Sequence, residues 1–167
     1  TFYYLVRAIC YQQLATKAAQ TIHGRVVEAL KGDVSPQKAL RVRESTLRGA
    51  GLSAAKFAAV RDLATKIRSG EVEVHDLDEQ PDEEIIQRLV TVRGIGVWTA
   101  QMYLIFRLHR PDVWPTGDLG VRAGYAKAHA LDEYPTAKEL EPLGDAYSPW
   151  RSAAAWYCYR VLDTELP

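Results

Sequence analysis

The lone carboxylate of Asp118 is the side chain whose type and place first suggest chemistry in this sequence. It follows Pro115-Thr116-Gly117 and comes shortly after a Gly-Ile-Gly turn and Trp98. A carboxylate held in a fixed position can stabilise developing positive charge, or can orient and deprotonate a water molecule. Aspartate is also a favoured N-cap, so Asp118 can equally start the helix that follows it. The two roles are compatible, because a helix N-terminus keeps an aspartate ionised.

The turn Arg93-Gly94-Ile95-Gly96 lies between two segments of helical character. Glycine accepts positive φ and lets another backbone approach closely. The first amides of the following helix have no partner inside that helix, and its dipole favours an anion. The turn can therefore hold a phosphate with little net positive charge, with Ile95 pointing inward and Thr99 adding a hydroxyl contact. The competing interpretation is an ordinary αα-hairpin capped by glycine, with Thr99 bonded to its own helix.

The elements that position these residues are predicted to be helices, and the sequence predicts an all-α fold. Apolar residues recur at helical spacing, and Ser35-Pro36, Ser53 and Gly70 mark helix ends. Ser148-Pro149 repeats the cap-then-proline pattern and predicts the start of the last helix. Residues 71–81 are predicted to form a loop. The predicted helices cover residues 3–11, 16–30, 36–40, a short segment ending at 49–51, 54–68, 82–92, 97–108, 118–129, 136–146 and 149–162.

Composition and charge restrict the class of protein. The chain has 167 residues, of which 47% are hydrophobic and 25% are charged, as in an ordinary globular fold. No run approaches the ~18–20 apolar residues of a membrane span, and the chain does not open on a signal-peptide pattern. Basic and acidic residues number 21 each, so the net charge is zero. This balance argues against broad electrostatic binding of nucleic acid, but not against a local footprint with few phosphate contacts.

Metal and disulfide chemistry receive little support from the sequence. Cys10 and Cys158 are too few for a disulfide scaffold, a cysteine-rich zinc site or a four-thiolate iron–sulfur cluster. Both lie in apolar helical runs, which predicts reduced core residues in a cytosolic protein. The four histidines lack metal-ligand spacing. We therefore predict no catalytic metal and no cofactor.

Five stretches of the chain carry a resemblance to a known family. They are, in chain order, LVRAICYQQLATKAAQTI, GLSAAKFAAVRDLA, VRGIGVWTAQMYLIF, PTGDLGVRAGY and PWRSAAAWYCYR. In this order they resemble the helix-hairpin-helix DNA glycosylases, in the alkylation-repair branch called 3-methyladenine DNA glycosylase II. The resemblance implies one domain over residues 1–167, made of two helical lobes with a helix-hairpin-helix motif and a cleft between them. We expect the terminal helices to pack together and the family's N-terminal extension to be absent.

The resemblance implies an enzyme of base excision repair that binds double-stranded DNA, flips an alkylated purine and hydrolyses its N-glycosidic bond. Asp118 matches the family's catalytic aspartate, which stabilises the oxocarbenium ion left by a departing cationic base. Lyase members carry a lysine two residues after the second hairpin glycine, where this chain has Trp98. The amine of that lysine attacks the sugar, which tryptophan cannot do. We expect a monomeric, monofunctional enzyme of the cytoplasm, at the nucleoid in bacteria or in the nucleus in eukaryotes.

The resemblance also implies a base pocket and a wedge. Trp98, Met102 and Tyr159 are the predicted pocket residues, with Trp98 stacking on a cationic base and Met102 one turn later on the same helix face. Each can equally be a core residue. Gln13, with Leu14 as the second choice, occupies the position of the wedge that fills the gap left by a flipped base. The competing role for Gln13 is a hydrogen bond at the surface or between helices.

Several alternatives remain open on the sequence alone. Ser53 and Lys56 can grip a second phosphate or simply begin a solvated helix, and Arg151 can contact phosphate or pair with a buried acid. Helix-hairpin-helix units also serve as DNA-binding modules without catalysis. Glycosylases for other damaged bases share the fold, and an all-α interaction domain without nucleic acid is a further possibility. Release of free base from methylated DNA separates the first interpretation from the others.

Overall fold

The computed structural model describes residues 1–163, without the side chains of Thr16 and Asp78. Regular structure in these residues is helical throughout, and no strand occurs among them, so the all-α prediction is confirmed. No helix in this part of the chain is both long enough and apolar enough to cross a membrane. The α-helices are α1 Phe2–Tyr11, α2 Thr16–Ala29, α3 Pro36–Arg41, α4 Glu44–Gly49, α5 Ala54–Ser69, α6 Asp82–Leu89, α7 Val97–Phe106, α8 Leu119–Ala128, α9 Ala137–Leu143 and α10 Arg151–Leu162. Two short 3-10 helices are η1 Leu77–Glu79 and η2 Asp145–Tyr147.

The first compact unit comprises residues 1–103. Helix α5 is central to it, because α5 packs against α1, α3 and α4. Leu5 and Ile9 of α1, Leu63 of α5 and Leu89 of α6 are completely buried. Burying each such aliphatic side chain contributes about 1.5–3 kcal/mol to the stability of the fold. This apolar core therefore fixes the positions of the helices in the first unit.

The second unit begins at Leu104, within the last turn of α7. Its main contact is between α8 and α10, which approach closely at Gly124. A Cβ atom at Gly124 would lie 2.0 Å from the carbonyl oxygen of Cys158, so only glycine fits at this crossing. Trp114 caps the same core, and its indole N–H donates to the carbonyl of Leu140 at 2.9 Å.

Most predicted helix ends are confirmed, since local capping signals determine them. The Ser35 hydroxyl accepts from the amide of Lys38, and the Ser53 hydroxyl accepts from the amide of Lys56. Gly70 ends α5 in the left-handed region at φ 79°. Such ends depend on residues three or four positions apart, which is the range over which sequence patterns are informative.

Three predicted ends are wrong. Ser148 does not cap the last helix, because its hydroxyl donates to Asp112 at 3.0 Å and Trp150 is the N-cap residue instead. Helix α6 ends at Leu89 rather than at residue 92, since the amide of Val92 turns back to the carbonyl of Leu89. A distant partner decides the first of these positions, whereas the hydrogen bonds that end α6 are local. Helix α9 ends at Leu143 rather than at residue 146, and the separate 3-10 helix η2 follows it.

The cysteines are buried and free, as predicted. Burial raises the pKa of both the Cys10 and the Cys158 thiol to about 11, so each keeps its proton. Of the two alternatives for Arg151, the structure has the ion pair, but its partner Asp112 is only half-buried rather than buried. Its guanidinium donates to both carboxylate oxygens of Asp112, at 2.7 and 2.8 Å.

Candidate functional site

Asp118 is the N-cap residue of α8, and both of its carboxylate oxygens accept hydrogen bonds. Oδ1 accepts from the backbone N–H of Val121 at 3.0 Å, and Oδ2 accepts from the hydroxyl of Tyr159 at 2.9 Å. The residue is 8% exposed. A carboxylate held by two donors at a helix N-terminus is fixed in orientation, with the positive end of the helix dipole beside it. This arrangement suits electrostatic stabilisation of a nearby cation.

Tyr159 reaches Asp118 from α10, and the sequence of α8 leaves room for it. A Cβ atom at Gly120 would lie 3.0 Å from the Tyr159 ring and 3.1 Å from Asp118 Oδ1. Burial, and next the negative charge of Asp118, raise the pKa of Tyr159. Its hydroxyl therefore keeps its proton and remains a donor to the carboxylate. Gly120 and Gly124, four residues apart on one helix face, together admit α10.

The turn between α6 and α7 is held by one hydrogen bond to a side chain of α5 and by another within the turn itself. The amide of Arg93 donates to Asp62 Oδ2 at 2.7 Å, and the amide of Ile95 donates to the carbonyl of Val92 at 3.0 Å. Gly94 has φ 77°, and a Cβ atom there would lie 3.0 Å from Cβ of Ala59. The turn thus needs glycine both for its conformation and for its approach to α5.

The start of α7 faces solvent. Gly96 is exposed, and Val97 and Trp98 are 53% and 36% exposed. The first amides of a helix receive no carbonyl from the helix itself, and they carry its positive dipole. Ile95, by contrast, is buried at 4% exposure, as predicted. The exposed residues of the turn form a surface that an anion such as a phosphate can reach.

Thr99 occupies a different environment from the rest of the turn. The residue is 3% exposed, and its hydroxyl accepts from Nε2 of Gln12 at 3.0 Å. This internal partner counts against the predicted direct contact with phosphate. The Thr99 hydroxyl instead helps to join the end of α1 to the hairpin.

The predicted wedge residues lie in the short loop between α1 and α2. Gln13 is exposed and adopts the left-handed region at φ 53°, while Leu14 is 40% exposed. Both side chains are therefore available to a partner molecule.

Of the residues predicted for the base pocket, Trp98 and Met102 share one face of α7, and Met102 is half-buried. Tyr159 belongs to the second unit, so each unit contributes part of the predicted set.

Sequence reasoning missed the roles of Gln12 and Lys56. The Lys56 ammonium donates to the carbonyls of Cys10 and Gln12, which counts against its prediction as a phosphate grip. No local signal could reveal this contact, because it joins residues 44 and 46 positions apart. Ser53 caps α5, which is the solvated-helix-start alternative. Among the described residues, no cluster of three His, Cys, Asp or Glu side chains could hold a metal ion.

Comparison with known proteins agrees with this geometry. Residues 6–148 match the HhH-GPD superfamily of base excision DNA repair proteins. The DNA-3-methyladenine glycosylase 1 of Schizosaccharomyces pombe is 35% identical over 160 residues, covering 94% of this chain and 70% of that protein. The DNA-3-methyladenine glycosylase of Saccharomyces cerevisiae is 34% identical over 199 residues, covering 98% of this chain and 67% of that protein.

A solved structure gives the same result for the fold. The Schizosaccharomyces pombe 3-methyladenine DNA glycosylase in complex with abasic DNA superposes with a TM-score of 0.91 at 33% identity, covering 98% of this chain and 81% of that one. The matches extend over the helical hairpin and the aspartate that caps the following helix. Matches of this extent in family, sequence and structure establish homology. The chain belongs to the HhH-GPD superfamily of base excision DNA repair proteins.

Proposed function

We propose that this protein is a monofunctional DNA glycosylase of the 3-methyladenine DNA glycosylase II type. It hydrolyses the N-glycosidic bond of alkylated, cationic purines in double-stranded DNA, as a step of base excision repair. The observation that carries the proposal is the carboxylate of Asp118, held by the Val121 amide and the Tyr159 hydroxyl. The names of the similar proteins point to the same substrate class.

The chemistry requires little of the protein beyond a fixed negative charge. The C1′–N bond breaks with its electron pair going to the base, so a cationic alkylated purine leaves as a neutral molecule. The sugar becomes an oxocarbenium ion, which the Asp118 carboxylate stabilises electrostatically. Water then attacks C1′ and releases a proton, and the products are free base and an abasic sugar. No general acid is needed, since the leaving base already carries the charge.

Asp118 acts in this scheme as an electrostatic stabiliser rather than as a general base. Each of its oxygens already accepts a hydrogen bond, and the residue is 8% exposed. The two hydrogen bonds hold the carboxylate in one orientation, which suits a fixed charge that faces the sugar. In this scheme the proton passes to solvent after water has attacked.

The absence of lyase activity follows from Trp98. An indole has no nucleophilic amine, so the sugar cannot be captured as a Schiff base at this position. Trp98 is 36% exposed, and an aromatic face of this type suits stacking on a cationic base. Gly96 and Val97 precede it at the exposed start of α7, where the phosphate of the same strand can be held.

The test is release of free base from methylated duplex DNA under single-turnover conditions. We expect Asp118→Asn to lower the rate about 10²–10³-fold, the usual cost of removing one preorganised electrostatic group. Asparagine caps helices as well as aspartate does, so the variant should keep its fold. A variant that still releases base at the rate of the wild type would remove the catalytic assignment.

The same reaction mixtures test the monofunctional assignment. Strands should remain intact until alkali is added, and borohydride should trap no covalent complex with the wild type. Cleaved strands before alkali treatment would contradict it. Binding of DNA without base release by the wild type would instead favour a non-catalytic DNA-binding module.

A further inference from the structure

The end of α1 is capped by a side chain from another helix. Nζ of Lys56, in the first turn of α5, donates to the carbonyl of Cys10 at 2.9 Å and to that of Gln12 at 2.8 Å. Helix α1 has no basic residue in its last turn and no glycine cap, since its C-cap Gln12 has φ −54° and ψ 131°. Carbonyls at a helix end need a partner, and a cation is the favoured one. Lys56 therefore fixes where α1 stops.

Gln12 extends this contact to the hairpin. Its side-chain Nε2 donates to the carbonyl of Gly94 at 2.8 Å and to the hydroxyl of Thr99 at 3.0 Å. Gln12 is thus held at two groups. Lys56 holds its backbone carbonyl, and the turn between α6 and α7 holds its side-chain amide. A continuous series of hydrogen bonds runs from α5 through the end of α1 to the hairpin.

Gln13 and Leu14 directly follow the residue that is held in this way. Gln13 adopts φ 53°, a conformation that non-glycine residues rarely take and that the surrounding structure must maintain. Both side chains are exposed, and the hydrogen bonds that hold the α1 side of this loop are those of Gln12. The placement of these two residues therefore depends on Gln12.

We propose that Lys56 and Gln12 are positioning residues, which set the wedge loop Gln13–Leu14 on the hairpin so that both engage DNA as one rigid unit. The proposal rests on the proposed function and on the assignment of the wedge. Its physical basis is preorganisation: a wedge that is ordered before binding does not lose conformational entropy when it enters the base stack. Neither residue needs to touch the damaged base.

The chain offers a matched control for Lys56. Arg61, on the same helix α5, donates from Nη1 to the carbonyls of Ala39 and Leu40 at the end of α3. Arg61→Met removes a similar cap from a helix that has no residue predicted to contact DNA. It therefore measures the loss of stability that follows from removing a helix cap alone. Lys56→Arg retains a cation with donors for two carbonyls, and it should restore most of what Lys56→Met loses.

The experiment compares two substrates, an alkylated purine in a fully paired duplex and the same lesion opposite an abasic site. Lys56→Met should slow single-turnover release from the paired duplex about tenfold, as small displacements of positioning groups do, and release from the unpaired lesion less than about twofold. Gln12→Glu keeps the shape but turns the donor to Gly94 into an acceptor, and it should give the same selective loss. Arg61→Met should lower Tm without distinguishing the two substrates.

A second readout separates this proposal from the proposed function. Fluorescence of 2-aminopurine placed beside the lesion rises when the stack is opened, whether or not the base is cut. If the wild type opens the stack but releases no base, the proposed function fails, and the fluorescence of Lys56→Met still tests the positioning role. Equal loss on both substrates by Lys56→Met and Gln12→Glu, or a fluorescence change no larger than that of Arg61→Met, would overturn the proposal.

Discussion

At the scale of residues, the hydrogen bond from Tyr159 to Asp118 determines how the carboxylate can be used. An aspartate that only caps a helix needs one oxygen for the amide three residues on, and here that oxygen is Oδ1. The second oxygen is held by a phenol from another helix, which a capping role does not require. This additional donor fixes the plane of the carboxylate. We therefore regard Tyr159 as a positioning residue for Asp118, besides its predicted place in the base pocket.

Tyr159→Phe should lower the rate of base release roughly tenfold, the effect of losing one hydrogen bond to a charged group. The loss should appear in kcat with little change in KM, because the ring that is proposed to line the pocket is retained while the orientation of the charge is not. Single-turnover and steady-state rates on methylated duplex DNA check this. Tyr157→Phe, at an exposed position of the same helix, is the control and should leave both constants unchanged. A rise in KM alone would assign Tyr159 to the pocket only.

At the scale of elements, the crossing of α8 and α10 brings this pair together. Gly124→Ala would place Cβ 2.0 Å from the carbonyl oxygen of Cys158 and force the helices apart. We expect a loss of about 2–3 kcal/mol in the free energy of unfolding, as overpacking at a rigid contact costs. Gly24→Ala is the matched control, since a Cβ there meets nothing within 4 Å in the middle of α2. Gly24→Ala should raise the free energy of unfolding by about 0.5–1 kcal/mol. Urea unfolding distinguishes this gain from the loss expected for Gly124→Ala.

The pair Asp112–Arg151 joins the start of α10 to the chain that precedes Trp114. The hydrogen bonds that Arg151 donates lower the pKa of Asp112 to about 2, from an ordinary value of 3.8. Because the pKa is lower in the folded state, the stabilisation is complete above the ordinary value and disappears as the pH falls from about 4 to about 2. Asp112→Asn should cost roughly 1–2 kcal/mol at pH 7.

Urea unfolding at several pH values checks this dependence. The stability difference between the wild type and Asp112→Asn should be constant above pH 5 and should shrink towards zero near pH 2. Asp132→Asn, at an exposed aspartate of the same unit, provides the comparison. A difference that persists unchanged at low pH would show that Asp112 acts through packing rather than through its charge.

The sequence predicted those elements whose ends depend on near neighbours. Helix starts at Ser35 and Ser53 and the stop at Gly70 follow from capping over three or four residues. Ser148 carried the same local signal but found Asp112, 36 positions away, as its partner. Tyr159 and Asp118 are 41 positions apart, and no capping signal indicates that they meet. The spacing of Gly120 and Gly124 was the available clue, because small residues one turn apart mark a close helix crossing.

At the scale of the whole molecule, the charge balance and the devices for holding DNA agree with one another. A chain with 21 basic and 21 acidic residues has no net attraction for a polyanion. The proposed phosphate grip uses helix amides at Gly96 and Val97, and the proposed wedge uses the neutral side chains of Gln13 and Leu14. Neither of these contacts uses the side chain of a lysine or an arginine. Binding through dipoles and an inserted wedge favours a distorted site over undamaged duplex, because both require the DNA to adopt a particular shape.

This balance predicts weak salt dependence. The logarithm of the affinity for a duplex with a stable abasic-site analogue should fall against the logarithm of salt concentration with a slope of about −2 to −4, as for two to four neutralised phosphates. Fluorescence anisotropy between 50 and 200 mM salt covers the range over which such slopes are measured. Arg93→Gln should flatten the slope by about 1 if its exposed side chain is one of those contacts. Lys138→Gln, at an exposed position of α9, should not change it. A slope steeper than about −6 would mean that a basic surface dominates binding and that the hairpin amides are a minor part of it.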